Sequence, residues 1–270
     1  MKTLKNYTLV FDNACPMCTV YSKAFVKAKM LDESGRKSYQ QMSNEISSSI
    51  DTDRAKNEIA LVNTQTGEVF YGIDSIFKIL ANAFPIFGPL FNFQPFKWLM
   101  KKVYSFIAYN RKVIVPGNDK NDTCVPDVNL TYRWAYILIA WLLTSLILTH
   151  YSYHLIGLVP PTKFFREFII CGGQIIFQSG VIFLLAKNKI LDYLGNMMTI
   201  SFAGALLLVL FLFIGKIFGF RNPYLYAGVF MSVAGLMLLE HFRRVKLLGI
   251  HWSASAGWVI YRLIVLWIIL

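Results

Sequence analysis

The stretch Asp12-Asn13-Ala14-Cys15-Pro16-Met17-Cys18 joins two segments of opposite character. Before it, Tyr7-Thr8-Leu9-Val10-Phe11 is dominated by β-branched and aromatic residues and reads as a buried strand. After it, Thr19 to Leu31 places Val20, Ala24 and Met30 at helical spacing. The two cysteines are therefore expected at a strand-to-helix turn, with Cys15 near the helix cap and Pro16 in the first turn. Proline is tolerated there because its missing N–H would have had no partner inside the helix. Unpaired N–H groups and the helix dipole stabilise a thiolate at such a place, and the thiolate is the nucleophile of disulfide exchange. The expected roles are Cys15 as attacking thiol and Cys18, one turn on and more buried, as resolving thiol. Asp12 ends the strand beside them and reads equally as a proton acceptor for the resolving thiol or as a plain turn residue.

A Cys-x-x-Cys pair can also be half of a zinc site, which needs a second ligand pair. The other cysteines, Cys124 and Cys171, are far apart in the sequence, and no histidine occurs in residues 1–133. No metal and no cofactor is called for. Four cysteines in 270 residues are also too few for a disulfide scaffold. Downstream, Lys37–Met42 reads as a second strand, followed by a polar stretch at Ser43–Asp53. Glu58–Val62 and Glu68–Tyr71 flank Asn63-Thr64-Gln65-Thr66-Gly67 as a hairpin, and a helix is expected over Ser75–Phe84. The element order is that of a thioredoxin-like α/β domain.

The N-terminal segment resembles the DCC family of thiol-disulfide oxidoreductases, whose motif Asp-Gly-Asp-Cys-Pro-x-Cys follows a strand. Two further stretches carry the likeness: Tyr71-Gly72-Ile73-Asp74-Ser75 after the hairpin, and Ala108-Tyr109-Asn110-Arg111, similar to a closing Ala-x-Asn-Arg. The likeness covers about residues 5–115. It implies a redox role for Cys15 and Cys18 and carries Asp12 over as the first acidic residue. The chain departs from the pattern at Ala14, which replaces the second acid, and has no proline near Asn57-Glu58, where thioredoxins grip substrate backbone.

The composition excludes a wholly water-soluble protein. The chain is 56% hydrophobic and 16% charged, against roughly 45–50% and about 25% in an average soluble domain. Residues 1–133 hold 17 of the 27 Lys+Arg and 12 of the 15 Asp+Glu, so the second half is depleted of charge. Long apolar runs at Trp134–Leu155, Phe168–Ala186, Met197–Ile217, Tyr224–Leu239 and Ser253–Leu270 are expected to form an all-α transmembrane bundle of about five spans. The organisation expected is a thioredoxin-like domain over 1–115, a linker over 116–133 and a membrane domain over 134–270. Phe84–Lys112, aromatic and lysine-rich, reads either as a helix lying at a membrane surface or as the last helix of the soluble domain.

Basic residues set the expected orientation. Arg133, Lys187, Lys189, Arg243, Arg244, Lys246 and the Lys97–Lys102 cluster fall on one side, against Lys163, Arg166, Lys216 and Arg221 on the other. This places the N-terminus in the cytoplasm, and the polar start Met1–Lys5 does not read as a secretory signal. An inner bacterial membrane is the expected location. The net charge of +12 then reflects contact with anionic lipid. Nucleic acid is excluded as a partner, because the basic residues flank spans instead of forming one patch.

In the apolar half, His150 and His154 are one turn apart, but the topology separates them from His241 and His251, so all four read as interfacial. Cys171 reads as a small packing residue. Arg262 falls within an apolar run, where a charge is costly unless paired. Glu240 is the nearest acid in depth, and a structural pair, a snorkelling side chain and an anion site are the readings open to Arg262. Two functions from different classes follow. One is a membrane-anchored thiol-disulfide oxidoreductase facing the cytoplasm and acting on a protein or small-molecule thiol or disulfide. The other is a non-catalytic thioredoxin-like module that docks a partner membrane subunit.

Overall fold

A computed structural model describes residues 2–13, 15–39, 50–117, 128–160 and 165–269. Residues 40–42 of the strand expected over Lys37–Met42, most of the expected linker, and Cys124 lie outside them. The chain divides into two compact units, Met1–Tyr132 and Arg133–Leu270.

Among the described residues of the first unit the strands are β1 (Tyr7–Phe11), β2 (Arg36–Ser38), β3 (Ala60–Asn63) and β4 (Val69–Tyr71). They form one mixed sheet in the order β2-β1-β3-β4, with β1 parallel to β2 and β3 antiparallel to both its neighbours. Helices α1 (Pro16–Lys27), α2 (Thr52–Asn57), α3 (Ile73–Ala83), α4 (Gly88–Asn92) and α5 (Gln94–Ile114) complete the unit. The strand pleat sorts the core. Leu9 and Leu61 point to one face and pack with Leu4, Leu31, Ile59 and Ile79, joined by Tyr21 and Phe25 of α1 and Ile76 of α3. Val10, Ala60 and Val62 point to the other face and pack with Ile50 and with Ala55 of α2. The parallel β1–β2 pair requires a crossover, which α1 supplies.

The β3–β4 turn is built as its sequence suggests. The Asn63 side chain accepts from the N–H groups of Gln65 and Thr66, and Gly67 takes a positive φ of 72°. Next to it, Gly72 turns the chain from β4 into α3 at φ 58°, ψ −128°, a region essentially reserved for glycine. The side chains of Glu58 and Tyr104 fill the space where a Cβ would stand. Two residues on, Asp74 takes ion pairs from Lys97 at 2.9 Å and Lys101 at 3.1 Å, both on α5. Burial alone would raise the Asp74 carboxyl; the two lysine bonds outweigh it and hold it below its ordinary range. Helix α5 is thus tied to α3 within the first unit by two of the lysines that also suit a membrane surface. Trp98 and Leu99, on the same helix, are exposed.

The second unit contains α6 (Leu130–Ser152, begun three residues inside the first unit), α7 (Arg166–Ala186), α8 (Ile190–Phe218), α9 (Pro223–Leu247) and α10 (Ser253–Ile269). Among the described residues three helical stretches are long and apolar enough to cross a membrane: Leu130–Leu155, Arg166–Phe218 and Pro223–Leu247. The middle one runs for 53 residues and is interrupted by a 3-10 turn at Lys187–Lys189, which separates α7 from α8. The fifth expected span, α10, has 17 residues.

Polar contacts join the helices at both ends. At one end Arg133 pairs with Asp192, Arg244 donates to Asn196, and Lys189 donates to the Leu248 carbonyl. At the other, Tyr151 donates to the Tyr226 carbonyl and Tyr261 to the Ile170 carbonyl. Successive helices therefore alternate in direction. Two expectations are corrected here. His241 is buried, not interfacial, because Tyr193 and Ser255 each sit 2.9 Å from one of its ring nitrogens. Glu240 does not partner Arg262; it is taken by Arg243 and Arg244 on its own helix.

Because Gly72 needs a backbone that other residues strain to adopt, Gly72→Ala is expected to destabilise the first unit by about 1–3 kcal/mol. Hydrogen exchange on the full chain should show earlier opening of β3 and β4; protection equal to that of the unchanged protein would refute this.

A buried dithiol held by an arginine

β1 ends at Phe11 and α1 begins at Pro16, so Asp12 and Cys15 both lie in the short connection at the end of an inner strand of the sheet. Cys15 is the N-cap of α1, with extended backbone, and Pro16 opens the helix. The Cys15 sulfur accepts from the Cys18 N–H at 3.3 Å. That places sulfur where capping residues normally place oxygen. Asp12 lies one turn earlier, its carbonyl accepting from the Cys15 N–H at 3.2 Å. Cys15 and Cys18 are both free thiols, packed against Phe11, Met17 and Tyr21.

The dithiol is covered by a residue from the far end of the unit. Arg111, near the C-terminus of α5, donates from one Nη to the Asp12 carboxylate at 3.4 Å and from the other to the Cys18 sulfur at 3.9 Å. Arg111 and Asp12 are each only 5% exposed, Cys15 6% and Cys18 3%, so these charges meet in a medium that screens them weakly. Helix α5 aims the arginine by periodicity. Tyr104, Ala108 and Arg111 occur at i, i+4 and i+7 and share a face. Tyr104 fixes that face against the sheet by accepting from the Ile59 N–H at 3.1 Å.

The two thiols are driven apart in acidity. Hydrogen bonding from the Cys18 thiol stabilises a Cys15 thiolate most; burial opposes it. The Cys18 N–H and the Arg111 charge add to the stabilisation, while Asp12 subtracts, and the net effect lowers Cys15 to about 7. Cys18 moves far upward, because it donates to Cys15, is buried and faces the Cys15 charge. Burial disfavours the charged form of Arg111, but the nearby Cys18, Cys15 and Asp12 outweigh it and keep the guanidinium charged. The arrangement is one ready nucleophile beside one protonated thiol, with a fixed cation over both.

All three residues singled out from the sequence, Asp12, Cys15 and Cys18, come together. Arg111 was read only as part of a closing motif; its signal was the face it shares with Tyr104. Among the described residues no group of three or more His, Cys, Asp or Glu could hold a metal ion.

Residues 9–115 match the model of the family described as DCC1-like thiol-disulfide oxidoreductase, so a domain of that family occupies this stretch. Along the chain it is followed by the three helical stretches long and apolar enough to span a membrane. No curated protein and no solved structure matches the chain.

Removing the charges should move Cys15 in opposite directions. Arg111→Gln takes away a cation and is expected to raise the midpoint of Cys15 alkylation above 7; Asp12→Asn takes away an anion and should lower it. Rates of iodoacetamide labelling against pH, read by mass spectrometry, give both midpoints. Shifts of the same sign would overturn this electrostatic account.

Proposed function

We propose that the chain is a membrane-anchored thiol-disulfide oxidoreductase whose thioredoxin-like domain faces the cytoplasm and uses the Cys15-Pro16-Met17-Cys18 dithiol. The observation that carries the reading is the split between the two thiols under Arg111. The family match over residues 9–115 supports redox chemistry, and the sheet order with its crossover helix supports the thioredoxin-like description.

In the reductive direction the Cys15 thiolate attacks one sulfur of a substrate disulfide. The substrate S–S bond breaks, a mixed disulfide forms and one substrate thiolate leaves. Cys18 then gives up its proton, attacks the Cys15 sulfur and releases the second substrate thiolate. The product is a Cys15–Cys18 disulfide, and two electrons have passed to the substrate. Asp12 is the acceptor we assign to the Cys18 proton. As it becomes neutral, Arg111 exchanges a carboxylate partner for a thiolate, so the net charge of the buried cluster does not change. That constancy favours the transfer, because an unpaired buried charge is costly.

Anchoring is supported by the outer surface of the second unit, where Leu138, Ile176, Leu184, Leu210, Phe213 and Leu239 are exposed. Large apolar side chains exposed in this way are stable in lipid and costly in water. The 53-residue stretch would be about 80 Å long if straight, against a bilayer core of about 30 Å. Its break at Lys187–Lys189 divides it into two crossings, and with α6, α9 and α10 we count five. The basic residues gathered with Arg133, Lys189 and Arg244 at one end of the bundle support placing that end, and with it the N-terminus, at the cytoplasmic face.

One observation favours the non-catalytic binding-module reading instead: Cys15 is only 6% exposed, so a substrate must displace covering side chains to reach it. The Cys18→Ser variant separates the two. With the resolving thiol gone, the full chain incubated with a protein disulfide should accumulate a mixed disulfide through Cys15, and Cys15→Ser should form none. Failure of Cys18→Ser to trap any adduct would leave the module as the better account.

A further inference from the structure

The helical unit contains a cavity of about 220 Å³ that the dithiol chemistry does not use. Its walls are mostly apolar, with Leu148, Leu208, Phe230, Val233 and Leu266 contributed by four helices. Polar side chains also line it, Arg166 and Glu167 among them, and three of these carry a buried atom without a hydrogen-bond partner. Arg262 lies over the Trp258 ring at 3.8 Å, and its Nε is buried with no hydrogen-bond partner. Gln174 is 8% exposed and its Nε2 is likewise buried without a partner. The buried Thr144 hydroxyl also lacks one.

Among the described residues no carboxylate pairs with Arg262. Glu240, the acid nearest it in the sequence pattern, is held by Arg243 and Arg244, and Glu167, which also lines the cavity, is held by Arg166 at 2.8 Å. A guanidinium among apolar helices and without an anion is costly. An aromatic face offsets only part of that cost. The remaining demand is for an anion, and the two unpartnered donors, Arg262 and Gln174, line one cavity.

We propose that this cavity binds the carboxylate of a single-chain fatty acid, with the head on Arg262 and Gln174 and the chain along the apolar walls. The size limits the occupant: drug-sized ligands take about 300–1,000 Å³, so a carboxylate and part of one acyl chain fit here while a two-chain phospholipid does not. The inference concerns the second unit alone and does not depend on whether the dithiol is active.

The test is binding of radiolabelled oleate to the full chain purified in an uncharged maltoside detergent. Saturable binding near one per chain is expected, competed by unlabelled oleate but not by oleyl alcohol, which has the chain without the charge, or by acetate, which has the charge without the chain. Arg262→Gln should weaken binding at least tenfold. Binding that does not saturate, equal competition by the alcohol or by acetate, or an Arg262→Gln protein that binds like the original would each overturn the proposal. The competition arms use the unaltered protein, so they decide the matter even where the variant fails to fold.

Discussion

The contact of Arg111 with Asp12 and Cys18 is the constraint on which the N-terminal unit turns. A guanidinium that is 5% exposed must have partners, because removing one side of a buried ion pair typically costs about 3–5 kcal/mol. Here the partners are a carboxylate at the end of β1 and a thiol in the first turn of α1. A cation placed there favours the ionised form of either sulfur. The same contact that joins the first and last helices of the unit therefore contributes to the acidity of the dithiol, beside the larger effect of the hydrogen bond between the two sulfurs.

Much of the remaining unit serves to aim that arginine. Gly72 lets the chain turn tightly from β4 into α3, which presents Asp74 to Lys97 and Lys101. Those ion pairs fix the start of α5, and Tyr104 fixes its middle on the Ile59 N–H. Arg111 follows two turns later on the same face. The stretch around Gly72 and Asp74 thus acts on the dithiol through the placement of a helix, without touching either sulfur.

How far the sequence could be read depended on whether the signal was local. The strand before Asp12, the helix after Cys18 and the Asn63–Gly67 turn are dictated by near neighbours, and the structure shows each within a few residues of its expected bounds. The helices of the second unit follow from unbroken apolar runs, although α6 starts at Leu130, four residues before the apolar run, because Arg133 is neutralised by Asp192 and can be buried in the helix. What could not be read were partners distant along the chain. Arg111 meets Asp12 across 99 positions, and His241 is satisfied by Tyr193 and Ser255 from two other helices. Depth alone makes Glu240 one possible partner for Arg262, but Arg243 and Arg244 lie one turn away on its own helix and reach it first.

The central claim is that the sulfurs beneath Arg111 are a working two-electron couple and not a packed pair of small apolar side chains. Redox titration of the purified full chain in glutathione buffers, with Cys15 and Cys18 followed by alkylation and mass spectrometry, tests it most directly. The account predicts reversible closure of a Cys15–Cys18 disulfide, fitted by a two-electron curve at a potential within the range that cytosolic glutathione spans, about −220 to −320 mV. A pair that stays reduced throughout the titration, or that closes only under harsh oxidant and does not reopen, would contradict it.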